Sequence, residues 1–461
     1  MKKLTPIVLG LALAFPFAAH AQSAAELKAE IDALKAQVAE LKAMLVKPAA
    51  AAANSALVAD VAKLRVKVEA IEDSRVDSGF AGLKISGFAD PTYIYSDRAG
   101  RGDFIFLNDS AGENPNDLAS DSWGYMNSNF GGVTIKLEKE IDTGLMATVK
   151  LRPYKSPNNG WVEEAFASID IGDGRTAVVG KRNSFNGYES VDAPDDKLVT
   201  HNMLYDFGGP LEMTGAGVDF SAFGMSWMTM VGNMNSQRDL KGAESRGFHW
   251  RGDYEVSEFF GWGLSGMHGK WGGQGYNYLG LDTWYTKGEW NINTQLEWSE
   301  HKHMAFNGEK ASHIGASLLA TYMLGDGWEA VGRLDWLDDS KNGGWRGYVE
   351  ESGGGECLGL ADLESDDTGA TAAAACGDYR NGFSPQIGFD AASGVWGITN
   401  SSRGAKRTGI SLGLNYTFHE NAMLKFEVRH DVSDIYSFYD FDSGSFKKSN
   451  TLFAVQTVVK F

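Results

Sequence analysis

The chain has 461 residues, in which 42 Lys and Arg stand against 60 Asp and Glu for a formal net charge of −18. An acidic balance of this size disfavours nucleic acid as a partner, because phosphate backbones are held by an excess of Lys and Arg. Hydrophobic residues make up 43%, yet Gly reaches 56 copies, Trp 13 and Pro only 10. That mixture suits a β-barrel that is apolar outside, polar inside and ringed by aromatics. A tandem of soluble β-sandwiches would share the composition, so the pattern along the chain has to decide.

Residues 1–21 carry Lys2 and Lys3, an apolar run from Ile7 to Ala19, and the small-residue site Ala19-His20-Ala21 before Gln22. These are the three parts of a cleavable export signal. No later segment offers the roughly 20 consecutive apolar residues of a spanning helix. Export into an oxidising compartment lets thiols pair, and Cys357 and Cys376 sit together in a Gly-, Ala- and Asp-rich stretch. One loop disulfide is expected there, restraining the loop by about 3 kcal/mol in the chain-entropy model. Two unpaired thiols are the alternative, and no His or third Cys stands nearby to suggest a metal.

Residues 22–78 read as a helical stalk. Leu27, Ile31, Leu34, Val38, Leu41 and Leu45 step by alternating fours and threes, a heptad seam. Lys28, Lys35 and Lys42 fall at e and Glu30 at g, where charge steers partner choice. Pro48 and the alanines up to Ala53 interrupt the seam, and Leu57, Val61, Leu64, Val68 and Ile71 resume it out of phase. The two pieces pack between subunits or fold back as a hairpin within one chain.

From residue 79 the period changes to two, the mark of strands with one apolar face. Val133, Ile135 and Leu137 alternate with Thr134, Lys136 and Glu138; after Asp142-Thr143-Gly144, Leu145, Ala147, Val149 and Leu151 alternate with Met146, Thr148, Lys150 and Arg152. The design recurs around Gly172-Asp173-Gly174, Ala222-Phe223-Gly224, Val256 to Glu258, Lys287-Gly288, Gly325-Asp326-Gly327 and His419-Glu420-Asn421. With an opening strand near Leu83 to Ser96 and a closing strand from Thr451 to Phe461, these hairpins make sixteen strands, the even number a closed bacterial barrel requires. The expected long connections are 97–121, 155–160, 184–212, 234–245, 269–276, 300–310, 339–406 and 433–450, in strict alternation with the short turns. Short turns on the periplasmic side and long loops outside would place both termini in the periplasm.

Glu164 to Ile171, a Gly turn, and Val178-Val179-Gly180-Lys181-Arg182 resemble the general-porin hairpin that precedes a constricting third loop. The resemblance to Gram-negative porins covers roughly residues 81–461, while the stalk is similar to phosphate-selective and other porin-like families with an N-terminal coiled coil. It implies a water-filled outer-membrane pore without cofactor or catalytic residues, a homotrimer held partly by the stalk seam, and contact with membrane lipids. It also implies that terminal Phe461 is read by barrel-assembly machinery. The third connection, 184–212, has the place and length of the constricting loop but lacks its Pro-Glu-Phe-Gly-Gly pattern.

Alternation sends Lys136, Glu138, Lys150, Arg152, Arg333, Asp335, Lys425, Glu427, Arg429 and Asp431 to the bore, since Lys or Arg facing lipid at midplane costs about 2–4 kcal/mol. The expected constriction sets Asp192, Asp195 and Asp196 against Lys150, Arg152, Arg182 and Arg429. Connections 97–121, 184–212 and 339–406 are rich in Asp and Glu, so the mouth should gather cations. The reading is a passive pore for small hydrophilic solutes and ions, weakly selective or cation-preferring. The alternatives are a substrate-specific channel, for example for phosphate or another anion, and a plugged barrel whose stalk tethers the membrane to the cell wall. No Gly-x-Ser-x-Gly elbow stands at a strand-to-helix turn, and His301 and His303 merely flank Lys302, so neither enzyme nor metal site is expected.

Overall fold

The computed structural model describes residues 82–98, 100–107, 131–152, 162–235, 244–345, 385–392, 394–440 and 443–461. The export signal, the stalk seam and both cysteines lie outside the described residues.

The first strands are β1 (Leu83–Ala89), β2 (Thr92–Ser96), β3 (Arg101–Ile105), β4 (Val133–Asp142), β5 (Leu145–Leu151), β6 (Val162–Gly172) and β7 (Arg175–Asn183). A one-turn helix α1 (Met203–Phe207) precedes β8 (Glu212–Ala222), β9 (Met225–Met234), β10 (Arg246–Ser257) and β11 (Phe260–Trp271). Then come β12 (Gln274–Lys287), β13 (Trp290–His301), β14 (Ala311–Gly325) and β15 (Trp328–Asp338). A separate hairpin, β16 (Gln386–Asp390) with β17 (Val395–Asn400), stands in the next connection. The chain finishes with β18 (Lys406–His419), β19 (Ala422–Ser433), the small hairpin β20 (Phe438–Asp440) and β21 (Ser445–Lys447), and β22 (Ser449–Lys460).

Every neighbouring pair in the main sheet is antiparallel, and β22 returns to pair with both β1 and β2. At the seam the Gly87 and Phe461 backbones exchange two hydrogen bonds of 3.0 Å. The barrel is therefore closed, with sixteen staves, as its relation to known barrels also shows. The first stave is β1 and β2, broken at Asp90-Pro91, and the second is β3 and β4. The Leu107 amide donates to the Gly131 carbonyl at 2.9 Å, so β3 and β4 are held together at this point as one stave. The Asp90 carboxylate adds to this by accepting from the amides of Gly131 and Gly132.

All seven short turns fall where the residue pattern predicts them. Two of the long connections are corrected. Residues 101–105 lie inside the expected 97–121 loop yet pair with β2; Arg-Gly-Asp-Phe-Ile is too short to show a period. The expected 269–276 loop is a two-residue turn, with Gly272 at φ 58° and Gly273 at φ 82°, both in the left-handed range that a tight hairpin demands. The abundance of Gly there imitates a loop.

On β18, Ile410 is 51% exposed, Ser411 1% and Leu412 66%. Apolar residues point out and polar ones in, the inverse of a soluble core, because lipid rather than water faces the outer surface of such a barrel. Trp328 stacks on Tyr416 at 4.4 Å and Trp290 packs on Tyr322 at 4.8 Å, next to short turns. A row of glycines, Gly180, Gly215, Gly232, Gly247 and Gly269, runs in register across β7 to β11. A Cβ at Gly215 would lie 2.0 Å from the Val231 carbonyl oxygen, so only glycine lets these strands come so close.

Candidate functional site

Residues 184–211, between β7 and β8, fold into the lumen. The descent starts with Phe185, which stacks on inward His249 at 3.8 Å and packs on a cluster of Met213, Met230, Met234 and Met267. Arg251 of β10 donates to the carbonyls of Phe185 and Gly187 while pairing with Asp282. Tyr188 then reaches the far wall, its hydroxyl 2.7 Å from Ser317 Oγ on β14.

The loop next crosses in front of β5. Asp192 Oδ1 lies 2.6 Å from Lys150 Nζ and 2.8 Å from Arg152 Nη2, and Arg152 also donates to the Val191 carbonyl. Glu163 of β6 completes this group, 3.0 Å from Lys150 and 2.8 Å from Arg152. Asp195 lies outside those contacts; burial, together with the charges of Asp192 and Asp196, raises its carboxyl above the ordinary range.

Residues 193–202 are held by the opposite wall. Lys425 Nζ donates to the carbonyls of Ala193 and Asp196 at 2.5 and 2.7 Å. Glu427 accepts from the Val199 amide, the Thr200 amide and the Thr200 hydroxyl, at 2.9, 2.8 and 2.7 Å. Arg333 donates to the Thr200 and His201 carbonyls, and Arg429 to the His201 carbonyl. Each guanidinium is steadied by a carboxylate on its own strand, Asp335 for Arg333 and Asp431 for Arg429, both at 3.0 Å. Two wall strands, β15 and β19, thus clamp one dipeptide, Thr200-His201.

His201 is the centre of the loop's own network. Its Nε2 stands 2.9 Å from Asp196 Oδ2 and 2.7 Å from the Ser190 carbonyl, and its ring stacks on Tyr205 at 4.0 Å. Burial alone would lower its pKa, but the charge and hydrogen bond of Asp196, with Glu189 and Asp206, raise it to about 9. Burial lifts Glu189 to about 8, against the attraction of Arg333 at 3.1 Å. Asn202 caps α1 through a 2.7 Å acceptor bond from the Tyr205 amide, while its own amide donates to Glu189.

The helix gives the loop an apolar foot. Met203, Leu204 and Phe207 are buried with Leu337, Ala405 and Ile435, and such side chains contribute about 1.5–3 kcal/mol each on full burial. Glycines on the inner face make the sockets. A Cβ at Gly315 would lie 3.1 Å from Leu204, one at Gly409 2.7 Å from Met203, and one at Gly413 2.5 Å from Leu198.

The sequence-predicted residues therefore separate. Asp192 meets Lys150 and Arg152, but Arg182 pairs with Asp219 of β8 at 3.0 Å, and Arg429 touches loop backbone rather than a loop carboxylate. Arg333, Lys425, Glu427 and Arg429 point inward and are buried beneath the loop. Residue periodicity missed Glu163, Glu189, His201, Asp219, Arg251, Asp253 and Asp282; the two-residue period was legible around Asp253 and Asp282 and would have placed both inside. Among the described residues no group of His, Cys, Asp and Glu is arranged to hold a metal ion.

A closed barrel with apolar exterior, charged interior and an infolded third loop defines a porin-type channel protein rather than an enzyme. Residues 83–461 match the family model described as "beta-barrel porin-2, OmpL-like", and the chain belongs to that family. Its fold is similar to the anion-selective porin from Comamonas acidovorans, with 12% identity and a TM-score of 0.50 over 82% of this chain and 99% of that one. The trimer form of OmpT from Vibrio cholerae also matches, at 9% identity and a TM-score of 0.48 over 82% and 99% of the two chains. OmpF of Salmonella typhi in complex with daunomycin matches at 11% identity and a TM-score of 0.46 over 82% and 97%. A search of curated protein sequences finds no match.

Proposed function

We propose that this chain is a passive outer-membrane pore for small hydrophilic solutes and ions, weakly selective or cation-preferring. The observation that carries the reading is the lumen itself. It is walled by charged side chains and crossed by a loop that is tied to several strands, while Lys136, Glu138, Asp219 and Asp253 stay partly exposed. Each of these carboxylates has a cation beside it, Lys136 at Glu138, Arg182 at Asp219 and Arg251 at Asp253, which fits weak selectivity, and the acidic residues of 184–212 tilt it toward cations.

The same proposal includes the finer expectations: an export signal over 1–21, a periplasmic stalk over 22–78, a loop disulfide between Cys357 and Cys376, and a homotrimer. Recognition of Phe461 by assembly machinery and contact of the stalk with the cell wall belong to it as well. The expected test is single-channel recording of purified protein in a planar bilayer under a salt gradient. Stepwise conductance with a reversal potential near zero or toward the cation value fits the reading. A strong anion preference would replace it with an anion-specific channel, and insertion without conductance with the plugged tether.

A further inference from the structure

One imidazole inside the barrel is left with an unmatched lone pair. His249 of β10 is fully buried, and its Nε2 stands 2.8 Å from Asn186 Oδ1, an oxygen that only accepts. Nε2 therefore carries the proton, and with no carboxylate among its described contacts the buried ring is neutral. That makes Nδ1 a bare acceptor, and no described group donates to it. Buried acceptors of this kind are rare because leaving one unpaired is costly.

The strand register sets a thioether on each side of it. His249 lies directly opposite Met230 of β9 and Met267 of β11, and all three side chains are buried on the inner face. Side chains so placed stand about 4.5–5.5 Å apart at Cβ, and each sulfur sits on a flexible stem that can close the remaining distance. The next inward positions on these strands are Gly232, Gly247 and Gly269, which carry no side chain. Met234 folds into that space, since a Cβ on Gly247 would lie 3.4 Å from its Sδ. Phe185 covers the group by stacking on the imidazole at 3.8 Å. Flexible filling beneath Phe185 would account for the methionines alone. It does not account for the imidazole among them, where an apolar side chain would leave no polar atom to satisfy.

We propose that Met230, His249 and Met267, with Met234 in reach, bind one soft monovalent metal ion of the Cu(I) class. Thioether sulfur and neutral imidazole are uncharged, soft or borderline donors, the set that suits Cu(I) or Ag(I) rather than ions that demand carboxylates. The bond to Asn186 is the outer partner such a site needs, because it fixes the tautomer that leaves Nδ1 for the ion. Arg182 and Arg251, whose charges reach the ring, are paired with Asp219 and with Asp253 and Asp282. One positive charge is tolerated there, whereas a second would be opposed. The site goes beyond the pore reading and does not depend on it.

The test uses full-length C357S/C376S protein in detergent and chloride-free buffer, so that neither thiolate nor halide competes, with Ag(I) as the probe. Native mass spectrometry should show one Ag(I) held per chain, and equimolar Zn(II) should not displace it. With 13C-methyl methionine, the signals of Met230 and Met267 should move on titration, while those of Met146 and Met323, which are exposed, stay in place. M230L/M267L keeps the packing volume and removes two sulfurs, so Ag(I) affinity should fall by about tenfold or more. N186L should lower it by about tenfold through the lost tautomer lock, and N186D should restore it. Undiminished binding in M230L/M267L, displacement by Zn(II), or Met230 and Met267 signals that do not move would overturn the site. The methyl signals are read on unaltered methionines, so they decide the matter even where M230L/M267L misfolds. A parent protein that conducts yet holds no Ag(I) would remove the metal site and leave the pore reading standing.

Discussion

On β19, Lys425, Glu427 and Arg429 point inward at successive alternate positions, and all three are buried under loop atoms. On β4, Lys136 and Glu138 hold the same kind of position and pair with each other in partial contact with water. The same two-residue period generates both sets. What separates them is the covering loop, and the energetics follow the cover. Breaking one partner of a buried, hydrogen-bonded charge costs about 3–5 kcal/mol, whereas a half-exposed pair contributes about 0.2–1 kcal/mol.

The sharpest break of this comparison is E427L. It removes the acceptor of three hydrogen bonds from Val199 and Thr200 and leaves Arg333, 3.7 Å away, short of a counter-charge. Loop docking should weaken by about 3–5 kcal/mol, seen as protease cleavage within residues 184–211 and a larger, noisier conductance. A loop that stays protected would mean that the β19 charges are not its fasteners.

A smaller change should come from pH. His201 has its pKa raised to about 9 in the folded state from an ordinary 6.5, so its contribution to docking is complete below pH 6.5 and fades as pH rises through 9. Glu189, raised to about 8, acts in the same direction, since its ionisation under burial costs more as pH climbs. Asp196, Asp206 and Glu189 face the imidazole from the loop, and Arg333 faces Glu189 from β15. Conductance noise should therefore grow between about pH 7 and 9. In H201Q that growth should shrink; an unchanged profile in H201Q would remove His201 from the latch.

Much of the barrel was legible in the residues because closure and alternation are strong constraints. Five of the seven short turns carry Gly at the places the structure uses, and the opening and closing strands meet as expected. Gly272-Gly273 was lost because Gly269 and Gly275 surround it, so a tight turn looked like a loop. The site was less legible. Alternation states which face a side chain takes, as for Arg182 and Arg429, but not whether the partner is Asp219 across the wall or the carbonyl of His201 in a loop far along the chain. Inner-face glycines carried the missing information. Gly315, Gly409 and Gly413 mark the places where Leu204, Met203 and Leu198 dock, which becomes readable only once the loop is known to enter.

That docking yields the next prediction. In G413V the added branches meet Leu198, the Phe426 carbonyl oxygen at 3.1 Å and Val331 Cβ at 3.3 Å. The loop has to move, since the barrel wall is held by its ladders on both sides. Overpacking of this size should cost about 1–3 kcal/mol, appearing as partial protease sensitivity at residues 184–211 with the barrel's heat resistance nearly unchanged.

The smallest effect on stability is expected for E138Q, because the Lys136 pair is half-exposed and contributes within about 1 kcal/mol. Its effect on ions should be out of proportion to that. Neutralising Glu138 leaves the Lys136 ammonium unbalanced on the inner face of the barrel, which should move the reversal potential toward anions without altering loop protection. K136M should move it the other way by a similar amount. If instead both variants leave selectivity unchanged while E427L alters it, the charges that sort ions are those beneath the loop, and the exposed wall is only a solvated surface.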